Sequence, residues 1–510
     1  MPAGCCDQRE HGHMSAESAR SRVEPRILLD LSWSLRWAGP PVGILRVERE
    51  LARFAFASLP AAHGVFFDPA TRRYRLLDRA TALRFLAGDA VLDTLGLRDP
   101  GRVGRRKSDR IPATLRPLAR WLLQSRHMAL QTLERRRLAA PPERAARIAR
   151  LQAPLIKGKY RGLMLKGDGS RRDFVPLDAL ASAPVDFRPD DILVCAGAGW
   201  SHTDIAAIRD QKQATPFRLA LLCYDIIPIL FPQFYKPHDV ESFTHYFEGA
   251  FRIADLVLVN SRRVEADVKA WCTRLALPLA ATTVVPLGAD IPAAGGAPAG
   301  ALPSGLEPQK FALFVSTIEP RKGHRLLYET WLRLLAAGVP QKAGFKLVFV
   351  GRPGWMVEDL VRALDSDERL NGTLLRLDRV DDATMRALSA GAAFCLYPSR
   401  YEGYGLPLVE AFHLGKAVIA STGGSLPEVA GPFSPCLDPE DAEAWFTTMR
   451  RWIEDPSARA PYEETIRTSF RHPGWSESAA LFFARVTDLL AVDPQQSGEP
   501  QARSSAARSR

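Results

Sequence analysis

At 510 residues the chain exceeds one ordinary core and is expected to divide into two large domains; 46% hydrophobic and 25% charged residues exclude general disorder. Its 7 cysteines are scattered, with no C-x-x-C pair, which excludes a disulfide framework and a zinc site of that kind, and no apolar run reaches the length of a membrane span or a secretory leader. A cytoplasmic chain, at most peripheral on the inner face of a cell membrane, is the expectation. The net charge of +11 is regional, because residues 101–172 hold 20 Lys or Arg against 4 Asp or Glu and the remainder is acidic on balance.

Residues 1–24 lack apolar periodicity and are expected to form a disordered tail, as are 489–510. The first predicted strand runs from Arg26 to Leu31, and Pro41-Val-Gly-Ile-Leu-Arg leads from it into a helix. The basic segment 101–172 is expected as an insertion. Its stretches from Arg116 and from Ala145 mix apolar and basic residues at helical spacing, which suits a helix lying on an anionic membrane surface; a solvated arginine-rich face explains the charge equally well. No nucleic-acid-binding motif accompanies it, and no nucleic acid partner is expected.

Further strands are predicted over Asp191 to Cys195, Phe217 to Tyr224, Leu256 to Asn260 and Thr283 to Pro286, giving a first domain over 25–290. The Ala-, Gly- and Pro-rich stretch 291–304 reads as a linker. A second domain over 305–488 has strands predicted over Phe311 to Ser316, Phe345 to Val350, Leu374 to Leu377, Ala393 to Tyr397 and Ala417 to Ala420, and a last helical pattern, from Trp475 to Leu490, that could dock on either domain. Apolar runs alternating with amphipathic helices predict parallel sheets covered by helices. The fold class is therefore α/β, two Rossmann-like doubly wound domains with a cleft facing the carboxyl ends of both sheets.

The second domain carries the chemistry. Ile318-Glu-Pro-Arg-Lys-Gly follows its first strand and places Arg321 and Lys322 at the cleft rim, where fixed cations attract anionic groups. Pro398-Ser-Arg-Tyr-Glu-Gly-Tyr-Gly-Leu-Pro-Leu-Val-Glu follows another strand. Gly403 and Gly405 predict a turn, and the helix starting near Leu406 points its positive end at the same spot, a geometry that favours phosphate. Glu402 and Glu410 can accept from sugar hydroxyls. Taken alone they read as well as a surface residue and a helix-start charge.

Glu402 to Glu410 with the intervening Gly-Tyr-Gly-Leu-Pro-Leu-Val resembles the E-x7-E motif of the retaining family-4 glycosyltransferases, the glycosyl transferases group 1 domain, and the continuation from Gly415 to Gly431 is similar to the same domain. The resemblance implies a GT-B architecture and a retaining hexosyltransferase using a nucleotide diphosphate sugar. Catalytic roles then fall to Asp225, Glu402 and Lys322. Donor binding falls to Gly43, Arg321, Lys322, Gly403, Tyr404, Gly405, Leu406 and Glu410, with Glu402 on the sugar and Glu410 on the ribose. Cys223-Tyr-Asp-Ile-Ile-Pro resembles the family's His-Asp-x-x-Pro segment with Tyr224 in the histidine position, which leaves Asp225 as the polar contact, although it could also merely cap a turn. Gly351-Arg-Pro-Gly-Trp and Arg379-Val-Asp-Asp match segments bordering the nucleobase.

The Tyr-Asp-x-x-Pro variant makes mannose carried by GDP the first candidate donor, with rhamnose, glucose and galactose donors open, and a glycan or lipid-linked acceptor in bacterial surface polysaccharide synthesis is the expected partner. With no D-x-D after a strand and no H-x-x-x-H, neither metal nor other cofactor is expected. The alternatives are a nucleotide-sugar epimerase of similar architecture and a non-catalytic GT-B scaffold.

Overall fold

Short apolar runs such as Ile27-Leu-Leu-Asp are buried at every position, as central parallel strands require. In the computed structural model residues 24–39, 43–93, 113–166, 169–180, 183–290, 300–378 and 380–491 are described. The greater part of each expected tail, linker residues 291–299, the start of the basic segment and Arg379 lie outside the described residues.

In chain order the strands are β1 (Ile27–Asp30), β2 (Ala62–Asp68), β3 (Arg73–Leu77), β4 (Ala90–Leu92), β5 (Asp173–Val175), β6 (Ile192–Cys195), β7 (Arg218–Cys223), β8 (Leu256–Val259) and β9 (Ala281–Val284), then β10 (Phe311–Val315), β11 (Lys346–Val350), β12 (Leu374–Leu377), β13 (Phe394–Tyr397), β14 (Val418–Ser421) and β15 (Cys436–Leu437). The first sheet has the order β3-β2-β1-β6-β7-β8-β9 and the second β12-β11-β10-β13-β14-β15. All neighbours are parallel except the β2–β3 hairpin. In each sheet the strand order reverses at the first strand, so one switch point lies between β1 and β6 and the other between β10 and β13. Open α/β sheets bind ligands at such points.

The second domain's chain does not end within that domain. Helix Trp475–Asp488 crosses back and packs on helix Ile44–Ser58 of the first, with Phe483 stacked on Phe54 at 6.0 Å and Ser478 donating to the Pro286 carbonyl. Trp475, Phe482, Phe483 and Val486 are buried in the first domain's core. Residues Leu489–Ala491, expected in the tail, continue this helix as a 3-10 turn.

The described part of the basic segment is a helical arm, Arg116–Leu138 followed by Pro142–Gln152, seated on the small β4–β5 sheet. Glu134 organises it: fully buried, it accepts from Arg137 (2.6 Å), Arg171 (2.8 Å), Gln152 (2.9 Å) and the Phe174 amide (3.0 Å). Burial opposes the charge on Glu134, but Arg137 and Gln152 outweigh it and keep the carboxyl below its usual range. The start of the arm is unlike its base. Leu115, Leu118, Trp121, Leu122 and Leu123 are exposed, Trp121 to 61%. Among the described residues no helix is long and apolar enough to cross a membrane.

Candidate active site

The carboxyl ends of β10 and β13 carry the second domain's charged residues. After β10 the chain turns through Pro320–Lys322 into helix His324–Ala336, with Gly323 in the left-handed region at φ +83°. A Cβ at Gly323 would overlap the Pro398 carbonyl, so glycine is what lets this turn lie against the end of β13. The Arg400 amide then donates to the Arg321 carbonyl at 2.8 Å and locks the two loops together.

Glu402 is thereby placed between two cations. Arg321 Nη1 donates to its Oε2 at 2.8 Å and Lys322 Nζ to its Oε1 at 2.6 Å, all three side chains being largely buried. Arg321 also bonds the Tyr401 carbonyl at 2.7 Å and Glu319 at 3.0 Å. Burial pushes the Glu402 carboxyl up, yet Arg321 and then Lys322 outweigh it and hold its pKa at about 2. Glu319 behaves oppositely, with burial raising it despite the same cations. One firmly ionised carboxylate thus faces two cations, with Glu319 beside Arg321. A guanidinium and an ammonium held side by side are the donors that recognise phosphate oxygens.

The first domain meets this cluster at the end of β7. A Cβ on Gly403 would overlap the Tyr224 carbonyl and stand 2.9 Å from Asp225 Cβ, so the absent side chain is what allows the two domains to touch there. Ser261 Oγ donates to the Gly403 carbonyl at 3.1 Å, and Asn260 donates to the Tyr224 carbonyl at 2.9 Å. Asp225 Oδ1 accepts from the Ile227 amide at 3.0 Å, so one oxygen does cap the turn, while Oδ2 faces Gly403. Burial raises the Asp225 carboxyl, and Arg321 only partly opposes this. Tyr224 turns its hydroxyl inward, onto the Ala196 carbonyl at 2.6 Å.

Gly405, at φ +108°, caps helix Leu406–His413, and Ser425 braces the turn by donating to the carbonyls of Glu402 (3.0 Å) and Tyr404 (3.2 Å). The Tyr404 ring is buried with its hydroxyl on His472, so only its backbone is at the turn. Glu410 stands apart from the cluster. Its Oε1 accepts from Arg46 of the first domain at 2.6 Å, beside Gly43, which has φ +54° and starts helix Ile44–Ser58. The structure therefore gathers Arg321, Lys322, Glu402, Gly403 and Asp225 in one place and puts Glu410 with Gly43 in a second contact between the domains. Arg46 was not singled out by motif, and Glu319 lies in the Glu-Pro-Arg-Lys-Gly motif without a role of its own. Arg46 is one of several arginines in an amphipathic helix, and only the other domain's position gives it meaning.

Further contacts flank the cleft. Trp355 donates to the Phe234 carbonyl at 2.7 Å, Arg263 donates to the Tyr401 hydroxyl at 2.9 Å, and Glu428 accepts from the amides of Arg262 and Arg263. Among the described residues no group of three or more His, Cys, Asp or Glu is arranged to hold a metal ion.

Two largely parallel sheets, each with one switch point, in domains that meet where Gly403 abuts Tyr224 fit the GT-B class. Within the second domain, residues 303–469 match the model of the glycosyl transferases group 1 family. The chain is 28% identical over 329 residues to the serotype-specific mannosyltransferase WbdA of Escherichia coli, covering 62% of this chain and 39% of that protein. It is 34% identical over 151 residues to the O-antigen chain mannosyltransferase B of Escherichia coli, covering 30% of this chain and 39% of that protein. The chain thus spans well under half the length of these curated relatives. Among solved structures, sucrose-phosphate synthase from Thermosynechococcus elongatus aligns with a TM-score of 0.46 at 22% identity, over 59% of this chain and 74% of that one.

Proposed function

We propose that this chain is a retaining glycosyltransferase that moves mannose from GDP-mannose to a glycan or lipid-linked acceptor in bacterial surface polysaccharide synthesis, without a metal. The observation that carries the reading is the Arg321–Lys322–Glu402 cluster at one switch point, abutted by Asp225 from the other domain. The choice of mannose rests on the Tyr224-Asp225-x-x-Pro228 stretch and on the mannosyltransferase relatives.

In this reading Arg321 and Lys322 take the diphosphate, the amides of Gly403 to Leu406 approach it from the helix start, and Glu402 holds the hydroxyls of the transferred sugar. As the glycosidic bond breaks, the bonding pair leaves with the diphosphate oxygen. The acceptor hydroxyl attacks from the same face and passes its proton to that oxygen, so the configuration at the anomeric carbon is retained. The protein contributes orientation and charge stabilisation more than a strong base. Asp225, whose carboxyl burial raises above its ordinary range, contacts the sugar from the first domain. Glu410 takes the ribose by exchanging Arg46 for its hydroxyls.

The exposed apolar start of the arm, in a strongly basic segment, fits an anionic membrane surface where a lipid-linked acceptor is presented.

Thermal melting with GDP-mannose, UDP-glucose, UDP-galactose and dTDP-rhamnose tests the donor, since a ligand that binds only the folded state raises its melting temperature. GDP-mannose should give the largest rise, together with release of GDP on turnover. A larger rise with a UDP sugar would replace the donor, and no rise with any of them would reject glycosyl transfer.

A further inference from the structure

The first sheet's switch point carries a polar and aromatic cluster that donor binding does not use. Trp33, on the short helix Ser32–Arg36 just after β1, stacks on His202 at 5.8 Å with the rings 13° apart and leans on Trp37 at 5.6 Å. Trp33 and His202 are each partly exposed, and their stacked rings form an aromatic face at the end of the sheet.

Behind this face stands Glu48, only 2% exposed, from helix Ile44–Ser58. Its Oε1 accepts the Ser34 amide at 2.8 Å, which ties the helix bearing Trp33 to the helix that begins at Gly43. A Cβ at Gly197 would overlap Glu48 Oε2, so the glycine after β6 is what admits the carboxyl. Glu48 Oε2, His202 Nδ1 and Thr203 Oγ1 are all buried without a hydrogen-bond partner. Buried polar atoms normally find partners, and three orphans around one aromatic surface at a switch point mark a place built for a hydroxyl-bearing ligand.

Position supplies the rest. β1, β6 and β7 are adjacent, so the plate lies two strand spacings, about 10 Å, from Asp225 at the end of β7. Tyr224 ties these ends together through the Ala196 carbonyl, beside Gly197. A ligand on Trp33 would therefore reach toward the transferred sugar from the side opposite the diphosphate grip.

We propose that Trp33, Trp37 and His202 form a saccharide-binding plate that seats the acceptor, with Glu48 as the positioning residue that fixes it. This rests on the glycosyl-transfer reading for the word acceptor, but binding to the plate does not require it. Aromatic faces cover the apolar side of a pyranose, while His202 and Thr203 supply polar atoms for its rim.

Saturation-transfer NMR without donor, using α-mannotriose, maltotriose and octyl α-mannoside as probes, tests the plate directly. Wild-type protein should bind at least one probe. Trp33→Ala should weaken that binding by about tenfold or more, Trp33→Phe should retain most of it, and the melting rise with GDP should be unchanged in both. For Glu48, the Gln variant keeps an acceptor for the Ser34 amide and should bind like wild type, whereas the Leu variant should lose binding in step with Trp33→Ala. Absence of signal with every probe in wild type, or equal signal in wild type and Trp33→Ala, would overturn the proposal. A wild type that binds a probe through Trp33 but no nucleotide would uphold the plate and sink only the transfer reading.

Discussion

At the scale of single residues, the cost of breaking a charge pair depends on what remains. Replacing Glu402 with Gln leaves Arg321 and Lys322 buried without their carboxylate, which typically costs about 3–5 kcal/mol in addition to any catalytic loss. Lys322→Ala is the cleaner probe, because Arg321 still holds Glu402 at 2.8 Å. Turnover in Lys322→Ala should fall by about 100-fold or more with the melting temperature little changed, as steady-state rates and a thermal scan would show. Glu48 gives a prediction in pH. Burial first, then Asp30, push its pKa up to about 8 from the ordinary 4.5, against Ser34 and Arg49. The folded state therefore holds a proton that the unfolded state loses, and this stabilisation, complete below pH 4.5, is lost as pH rises through about 8. Each unit of separation is worth about 1.4 kcal/mol. Melting temperatures from pH 5 to 8.5 should decline more steeply in wild type than in Glu48→Gln, and parallel curves would contradict this account of Glu48. The meeting of Arg321, Lys322 and Glu402 was legible in sequence because each sits in a local motif after a strand. Arg46 and Glu48 were not, since their partners Glu410 and Gly197 lie 364 and 149 positions away and no local pattern links them.

Elements were legible where an apolar run is bounded by turn residues. Ten predicted strands match β1, β6 to β9 and β10 to β14 within a few residues, because buried parallel strands read as unbroken hydrophobic runs. β2 and β3 were missed, since β2 contains His63 and Gly64 and β3 alternates Arg with apolar residues, so neither forms such a run. β4 and β5 are only three residues each, and β15 only two. The last helix was recognised but its partner could not be, because an amphipathic face says only that it will be buried. Its seat on helix Ile44–Ser58 yields a prediction: Phe483→Ala removes a ring that is 2% exposed and should cost about 3–5 kcal/mol in chemical denaturation. Loss of less than about 1 kcal/mol would mean that the helix is not docked there. For the arm, protein should sediment with vesicles containing anionic lipid and not with neutral ones, and Trp121→Glu should reduce the bound fraction. Equal sedimentation of wild type and variant would reject membrane docking through this helix.

At the scale of the whole molecule, the proposed function depends on the two switch points being brought face to face. Gly403 against Tyr224 is a close backbone approach, whereas the Arg46–Glu410 pair is partly exposed, with 25% and 37% of the side chains accessible. An exposed pair of this kind contributes roughly 0–1 kcal/mol, so it sets orientation more than stability. Chain reversal through helix Trp475–Asp488 adds a third tie, and together these hold the cationic cluster opposite the first domain. The central claim is that Arg321 and Lys322 bind a nucleotide diphosphate between the domains. Calorimetric titration of GDP, UDP and dTDP into wild type and into Arg321→Ala/Lys322→Ala tests it most directly. The account predicts binding of at least one nucleotide by wild type and an affinity lowered by about 100-fold or more in a double variant that circular dichroism shows to be folded; equal affinity in the two proteins would contradict it.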